Sequence, residues 1–184
     1  KTFVNQVLTL LVLAAELGWK VDYDKIPGEL RAVFEYEDQI KELAKKLAKK
    51  HDIYIIGRGM AYPVSREIAL KLKEISYVHA EGMMGGELKH GTLALIEKGT
   101  PVIGLVDNTE IVSNMKEVEA RGAEVISISD CPTEFGGIQL QASSEASFVL
   151  GATIIGQLLT YYIAKERGLP IDKPRNLAKS VTVK

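Results

Sequence analysis

The stretch Asp52-Ile-Tyr-Ile-Ile-Gly-Arg-Gly59 decides the fold class of this chain. Its first five residues form a short apolar run rich in β-branched side chains, which predicts a buried strand. The run stops at Gly57-Arg58-Gly59, and Pro63 follows where proline is tolerated in the first turn of a helix. The stretch therefore predicts a strand, a glycine turn and a helix that runs to about Tyr77.

The same order of elements recurs further along the chain. Residues 101–106 predict a second strand, Asp107-Asn108 can cap a helix that ends near Gly122, and residues 125–129 predict a third strand. Alternating strands and helices favour a parallel sheet with right-handed crossovers and helices on both faces. We therefore expect an α/β fold, a three-layer αβα sandwich.

Three more helices are predicted outside these units. Residues 2–17 carry apolar side chains at helical spacing and end at Gly18, which favours a left-handed C-cap. Because this helix is apolar on most sides, we expect it to be buried. Residues 28–50 predict one amphipathic surface helix, and a long apolar helix runs from Glu145 to Gly168.

Composition excludes several classes of function. The chain has 184 residues, of which 46% are hydrophobic, and a formal net charge of -1. Without a basic surplus, electrostatics give no reason to expect a nucleic acid or an anionic membrane as partner. The most apolar run, residues 7–15, is far short of the roughly 20 residues that span a membrane.

Cysteine and histidine content argues against a metal site. The single cysteine, Cys131, permits no intrachain disulfide and no cysteine zinc site, and it fits a reducing, cytoplasmic compartment. We expect it to be a small buried or turn residue, because no base is adjacent. His51, His79 and His90 show no metal-ligand spacing, so we expect no metal and no cofactor.

The glycine turn after the first strand has two interpretations. A backbone without side chains can bring an anion close to a helix N-terminus, but glycine is equally needed for a tight turn alone. Tyr62 stands where the dinucleotide fingerprint requires a third glycine, which disfavours a nucleotide site.

Two further groups have both a chemical and an ordinary interpretation. Lys71 and Glu74 are three residues apart and share a helix face, which suits either a surface ion pair or a carboxylate general base tuned by a cation. His90 follows a glycine-rich stretch and can be a proton shuttle or a hydrogen-bonded structural residue. Lys179 is unremarkable by composition.

The motifs taken together resemble one family. They are Gly57-Arg58-Gly59 through Tyr62-Pro63, Ala69-Leu-Lys-Leu-Lys-Glu-Ile-Ser-Tyr77, His79-Ala80-Glu81, Gly86-Glu-Leu-Lys-His-Gly91 and Pro174-Arg-Asn-Leu-Ala-Lys-Ser-Val-Thr-Val183. Their order and spacing resemble the second half of the isomerase domain in the glucosamine-6-phosphate synthase family, the isomerizing glutamine:fructose-6-phosphate aminotransferases. In that family a glutaminase domain precedes two sugar-isomerase (SIS) subdomains, each with a flavodoxin-like parallel sheet.

The resemblance implies a role for four residues. It makes Glu74 the base that moves a proton between C1 and C2 of the sugar, with Lys71 as its neighbouring catalytic lysine. It makes His90 the group that opens the sugar ring, donated by the neighbouring subunit of a homodimer, and Lys179 the amine that forms a Schiff base with the keto sugar. Each residue type suits its role.

The resemblance also implies a division of the chain. Residues 1–50 are a helical lead-in that joins the preceding SIS subdomain, residues 51–168 are the SIS subdomain, and residues 169–184 are a tail that closes over the active site. The substrate phosphate is then held by the preceding subdomain, so we expect residues 1–184 alone to have little or no synthase activity. Lys184 and Thr92 depart from the residues common in the family, an acidic residue and a proline.

Two rival functions remain open from the sequence. The first is a SIS enzyme without a glutaminase domain that isomerises or deaminates sugar phosphates. The second is a non-catalytic sugar-phosphate sensor, which needs the sheet and the glycine turn but not Glu74, His90 and Lys179 together.

Overall fold

The computed structural model describes residues 2–21 and 23–177. The described residues form six α-helices and five strands, joined in places by short 3₁₀ helices. In chain order these are α1 (Thr2–Glu16), α2 (Ile26–Ala32), α3 (Glu37–Leu47), β1 (Asp52–Gly57), α4 (Ala61–Ser76), β2 (His79–Met84), β3 (Pro101–Val106), α5 (Glu110–Glu119), β4 (Glu124–Ser129), β5 (Gly137–Gln139) and α6 (Glu145–Glu166).

The five strands form one sheet in the order β2-β1-β3-β4-β5, and every pair is parallel. This is the flavodoxin-like order, in which the chain reverses direction across the sheet between β1 and β3. The predicted α/β class and flavodoxin-like sheet are confirmed.

Alternation along the strands sends side chains into two separate cores. Ile53 and Ile55 of β1 pack on one face with α3, α4 and α6. Tyr54 and Ile56 point to the other face, where α5 covers the sheet. Burial on both faces explains why β1 is a continuous apolar run.

The first helix is formed as predicted, but the expectation that it is buried is wrong. Gly18 ends it with a φ of +96°, yet the helix contains no buried residue. Leu10, Leu13 and Leu17 share one stripe and are 63%, 54% and 81% exposed. The reason is that no described element covers this stripe.

The single helix predicted over residues 28–50 is interrupted. A 3₁₀ turn, Val33–Tyr36, separates α2 from α3. Val33 and Ile40 are both buried, while Phe34 is 55% exposed. The buried residues of α3 join the same core as β1, although the domain boundary predicted at residue 50 stays a prediction.

Two strands were not predicted from the sequence. The glycine-rich stretch at residues 82–86 was expected to be a turn, but its first three residues complete β2. Gly82 is there because a Cβ would clash with the backbone of Ser65 in α4. β5 is only three residues long and begins at the second glycine of Gly136-Gly137, so it gives little sequence signal.

The longest helix fills the middle of the larger core. By length and composition α6 could cross a membrane, but 67% of its most apolar window is buried inside the fold. Ser144 caps its N-terminus in a capping box with Ser147, and Gly168 follows its end with a φ of +66°. Packing within the protein therefore accounts for its apolar composition.

Arg167, just after α6, ties three segments of the chain together. Its guanidinium donates to the carbonyl oxygens of Ala48 at 2.9 Å, Lys50 at 2.5 Å and Ser76 at 3.0 Å. Two of these carbonyls lie at the C-termini of α3 and α4, where helices leave acceptors unpaired. Burial lowers the pKa of Arg167 from its ordinary value.

We expect Arg167→Met to destabilise the protein by about 2–4 kcal/mol, because three half-buried carbonyls lose a charged donor. Chemical denaturation measures the loss. Arg121→Met is the matched control, since Arg121 makes one exposed hydrogen bond, to the carbonyl of Glu117. Equal free energies of unfolding for the two variants would contradict the stabilising role of the Arg167 hydrogen bonds.

Candidate active site

The pair predicted on one face of α4 is formed. Lys71 Nζ lies 2.5 Å from Glu74 Oε2, and the two side chains are 29% and 32% exposed. Their partial burial makes the pair stronger than a fully solvated surface ion pair. The structure therefore provides a carboxylate with a cation in direct contact at the C-terminal end of α4.

A third member of this group was not identified from the sequence. Glu67 lies one turn before Lys71, its side chain is only 13% exposed, and Glu67 Oε1 is 3.7 Å from Lys71 Nζ. Burial raises the pKa of Glu67 above its ordinary value, and the Lys71 ammonium opposes that rise. The spacing i, i+4, i+7 was the available signal, and it places Lys71 between two carboxylates.

Glu74 lines a cleft between α4 and the C-terminal tail. The cleft has a volume of ≈ 370 Å³, and it is lined by residues 73–74 and 77–79 and by Arg175, Asn176 and Leu177. The tail is fixed there by a hydrogen bond from the backbone N–H of Arg175 to Tyr77 Oη at 2.7 Å. Lys179 lies outside the described residues, two positions after Leu177.

His90 lies far from this cleft in the same chain. Glu74 is just before the start of β2, whereas His90 ends a 3₁₀ helix, Gly85–His90, that begins where β2 stops. Six strand residues separate the two ends by about 17 Å. The structure therefore brings Lys71, Glu74 and the tail together but does not bring His90 to them within one copy.

The segment that carries His90 is firmly held. Leu88 is fully buried, and a Cβ on Gly85 would clash with Ile111 and Asn114 of α5. Lys89 Nζ also pairs with Glu117 Oε1 at 2.8 Å. The histidine itself is exposed, so a rigid support presents it outward.

The glycine turn after β1 is explained by backbone geometry. A Cβ on Gly57 would lie 2.5 Å from the carbonyl oxygen of Ala61, and Gly59 has a φ of +51°. Arg58, the cation of the turn, is paired with Glu110 at 2.8 Å. Each of these observations favours the tight-turn interpretation.

The surroundings of the turn are acidic. Asp107 and Asp130 follow β3 and β4, and burial raises the pKa of each above its ordinary value. The nearby Glu145 raises the pKa of Asp107 further. Carboxylates at this edge oppose anion binding at the neighbouring turn.

Cys131 and the histidines offer no metal site. Burial and the adjacent Asp130 raise the pKa of the Cys131 thiol, so it stays protonated at neutral pH. Within residues 2–21 and 23–177, no group of three or more His, Cys, Asp or Glu side chains is placed to hold a metal ion.

Comparison with known protein families gives a match across the middle of the chain. Residues 46–136 match the SIS domain. The matched segment spans α4, the cleft-lining end of that helix, the segment that carries His90, and most of the sheet.

Relatives that align with the whole chain include isomerizing glutamine–fructose-6-phosphate aminotransferases. The protein of Methanosarcina acetivorans is 40% identical over 206 residues, and that of Thermococcus kodakarensis is 43% identical over 205 residues. Both alignments cover 100% of this chain but only 33% and 34% of the relatives. The chain thus spans about a third of the length of the curated relatives that it matches.

Solved structures give the same result. The C-terminal domain of the glucosamine-fructose-6-phosphate aminotransferase of Francisella tularensis is 35% identical, with a TM-score of 0.76. The match covers 82% of this chain and 45% of that one. The glucosamine-6-phosphate deaminase of Thermotoga maritima is 27% identical with a TM-score of 0.59, covering 81% of this chain and 48% of that one. The resemblance inferred from the sequence motifs is confirmed.

Proposed function

We propose that this chain is the C-terminal SIS subdomain of a cytoplasmic glutamine–fructose-6-phosphate aminotransferase. The whole enzyme converts fructose 6-phosphate and glutamine-derived ammonia into glucosamine 6-phosphate. One observation carries the proposal: Glu74, paired with Lys71, lines a cleft whose opposite wall is the tail that leads to Lys179. The names of the relatives at about 40% identity support the same substrate.

The proposed chemistry begins with the keto sugar in its open form. The Lys179 amine attacks C2 and water leaves, which gives an imine. Ammonia then displaces the lysine and leaves nitrogen on C2. Lys179 follows Leu177, which lines the cleft, by two positions, and we assign its amine to this cleft.

Glu74 performs the isomerisation that follows. Its carboxylate takes a proton from C1 and returns one to C2, while the proton of the C1 hydroxyl passes to the nitrogen on C2, so that the double bond moves and C1 becomes the aldehyde. Lys71 Nζ contacts Glu74 Oε2 at 2.5 Å, and this contact orients the carboxylate for the step. Glu67 holds Lys71 in place from the buried side.

Ring opening requires a second copy of the chain. Because Glu74 and His90 lie at opposite ends of β2, one copy cannot place both on one sugar. The rigid, exposed presentation of His90 suits donation to a neighbouring subunit. We therefore place His90 of one subunit beside Glu74 of the other in a homodimer.

Other parts of the longer protein complete the site. We assign the phosphate of the sugar to the preceding SIS subdomain and the release of ammonia to a glutaminase domain. The exposed stripe of α1 is the natural place for the preceding subdomain to pack, since large exposed apolar faces mark interfaces. Residues 1–184 alone should therefore make little or no product.

A glutaminase-free enzyme is the second candidate, because a glucosamine-6-phosphate deaminase shares this fold at 27% identity. The test supplies the full-length protein with fructose 6-phosphate and either glutamine or ammonium, and measures glucosamine 6-phosphate. We expect synthesis with glutamine. Synthesis with ammonium only, or deamination of glucosamine 6-phosphate, would instead support the second candidate.

A further inference from the structure

Tyr77 has a backbone conformation that tyrosine rarely adopts. It follows α4 with φ 52° and ψ 34°, in the left-handed region. Only one other non-glycine residue of the described chain has positive φ, Asn176 at 59°. Both residues line the Glu74 cleft, and such strained conformations cluster where side chains have a function.

The Tyr77 side chain makes two different contacts with one tail residue. Its hydroxyl accepts a hydrogen bond from the backbone N–H of Arg175 at 2.7 Å. Its ring also lies under the Arg175 guanidinium, whose central carbon is 4.2 Å from the ring centroid. Both contacts join positions 98 residues apart in sequence, so they fix the tail against the end of α4.

A role in helix capping alone does not explain this residue. At a left-handed position after a helix, glycine costs less strain than tyrosine. The ring and hydroxyl are the parts that glycine lacks, and both are used on Arg175. The side chain therefore makes contacts with the tail that a glycine at this position could not make.

We infer that Tyr77 is a positioning residue, which anchors the tail through Arg175 so that the tail is held along the Glu74 cleft during catalysis. This inference rests on the proposed function. The contacts between Tyr77 and Arg175 should affect kcat, because they set how the tail approaches the sugar. They should not affect sugar binding, because neither residue is assigned a contact with the sugar.

The test compares Arg175→Met with Lys173→Met in the full-length protein. Both residues are exposed and both changes remove one positive charge from the tail, but only Arg175 contacts Tyr77. We expect Arg175→Met to lower kcat about two- to fivefold, with the KM for fructose 6-phosphate nearly unchanged. Lys173→Met should match the parent protein, and equal kcat values for the two variants would overturn the inference.

Tyr77→Phe separates the two contacts. It keeps the ring under Arg175 but removes the hydroxyl that accepts the backbone hydrogen bond, whereas Arg175→Met keeps that hydrogen bond and removes the guanidinium–ring contact. We therefore expect each variant to lower kcat by losing one of the two contacts. Amide hydrogen exchange of the tail should become faster in both variants, and unchanged exchange would also overturn the inference. If Tyr77→Phe does not fold, Arg175→Met still decides, since Arg175 is on the surface.

Failure of the proposed function gives a different result. If the full-length parent protein makes no glucosamine 6-phosphate from fructose 6-phosphate and glutamine, the proposed function is wrong whatever the Arg175→Met result is. If Lys179→Arg abolishes synthesis while Arg175→Met resembles Lys173→Met, only the anchor is wrong.

Discussion

Replacing Glu74 with glutamine in the full-length protein is expected to lower the rate of C1–C2 proton transfer about 10²–10⁴-fold. Glutamine keeps the size and polarity of the side chain but cannot accept the proton. Sugar binding should remain, because the phosphate is assigned to the preceding subdomain. Exchange of tritium or deuterium from C1 of the substrate into water measures the step directly.

Glu119→Gln is the matched control for this variant. Glu119 is exposed on α5, on the other face of the sheet, and the change removes the same charge. We expect the control to exchange at the parent rate. Unaltered exchange in Glu74→Gln would remove Glu74 from the mechanism.

Lys179→Arg is expected to abolish the covalent adduct between the protein and the keto sugar. A primary amine can form an imine with C2, whereas a guanidinium stays protonated and does not. The protein is incubated with fructose 6-phosphate and treated with borohydride, which reduces the imine to a stable covalent bond. Mass spectrometry of tail peptides then detects the adduct. Synthesis should be lost together with the adduct.

Lys173→Arg provides the control in the same tail. It makes the same change of side chain six positions earlier, and we expect the adduct to form normally. An adduct that persists in Lys179→Arg, on any other lysine, would move the Schiff base away from Lys179.

Local signals in the sequence were sufficient for the central elements of the fold. The apolar run at residues 52–56 and the glycines after it predicted β1 and its turn, and both are formed. Local signals did not predict the structure or burial of residues that depend on contacts with segments distant in sequence. Gly82 belongs to a strand because of its packing on Ser65, and the stripe of α1 is exposed because no described element covers it.

The candidate site was predictable in part. Lys71 and Glu74 could be paired from helical spacing, and Glu67 could have been added by the same rule. The contact between Tyr77 and Arg175 could not, since it joins distant positions through the tertiary fold. The separation of Glu74 from His90 also needed the topology, because it depends on β2 lying between them.

The division of the active site between two copies of the chain is the central claim, and mixed dimers test it most directly. Full-length Glu74→Gln and His90→Gln should each be inactive alone. In a mixed dimer, one of the two sites combines an unchanged Glu74 from one subunit with an unchanged His90 from the other, and the second site has both substitutions. About half of the dimers in an equal mixture are mixed, so the mixture should recover about a quarter of the parent activity. Recovery near that level is the predicted result. No recovery from subunits that fold and exchange would contradict the claim and place both residues in one copy.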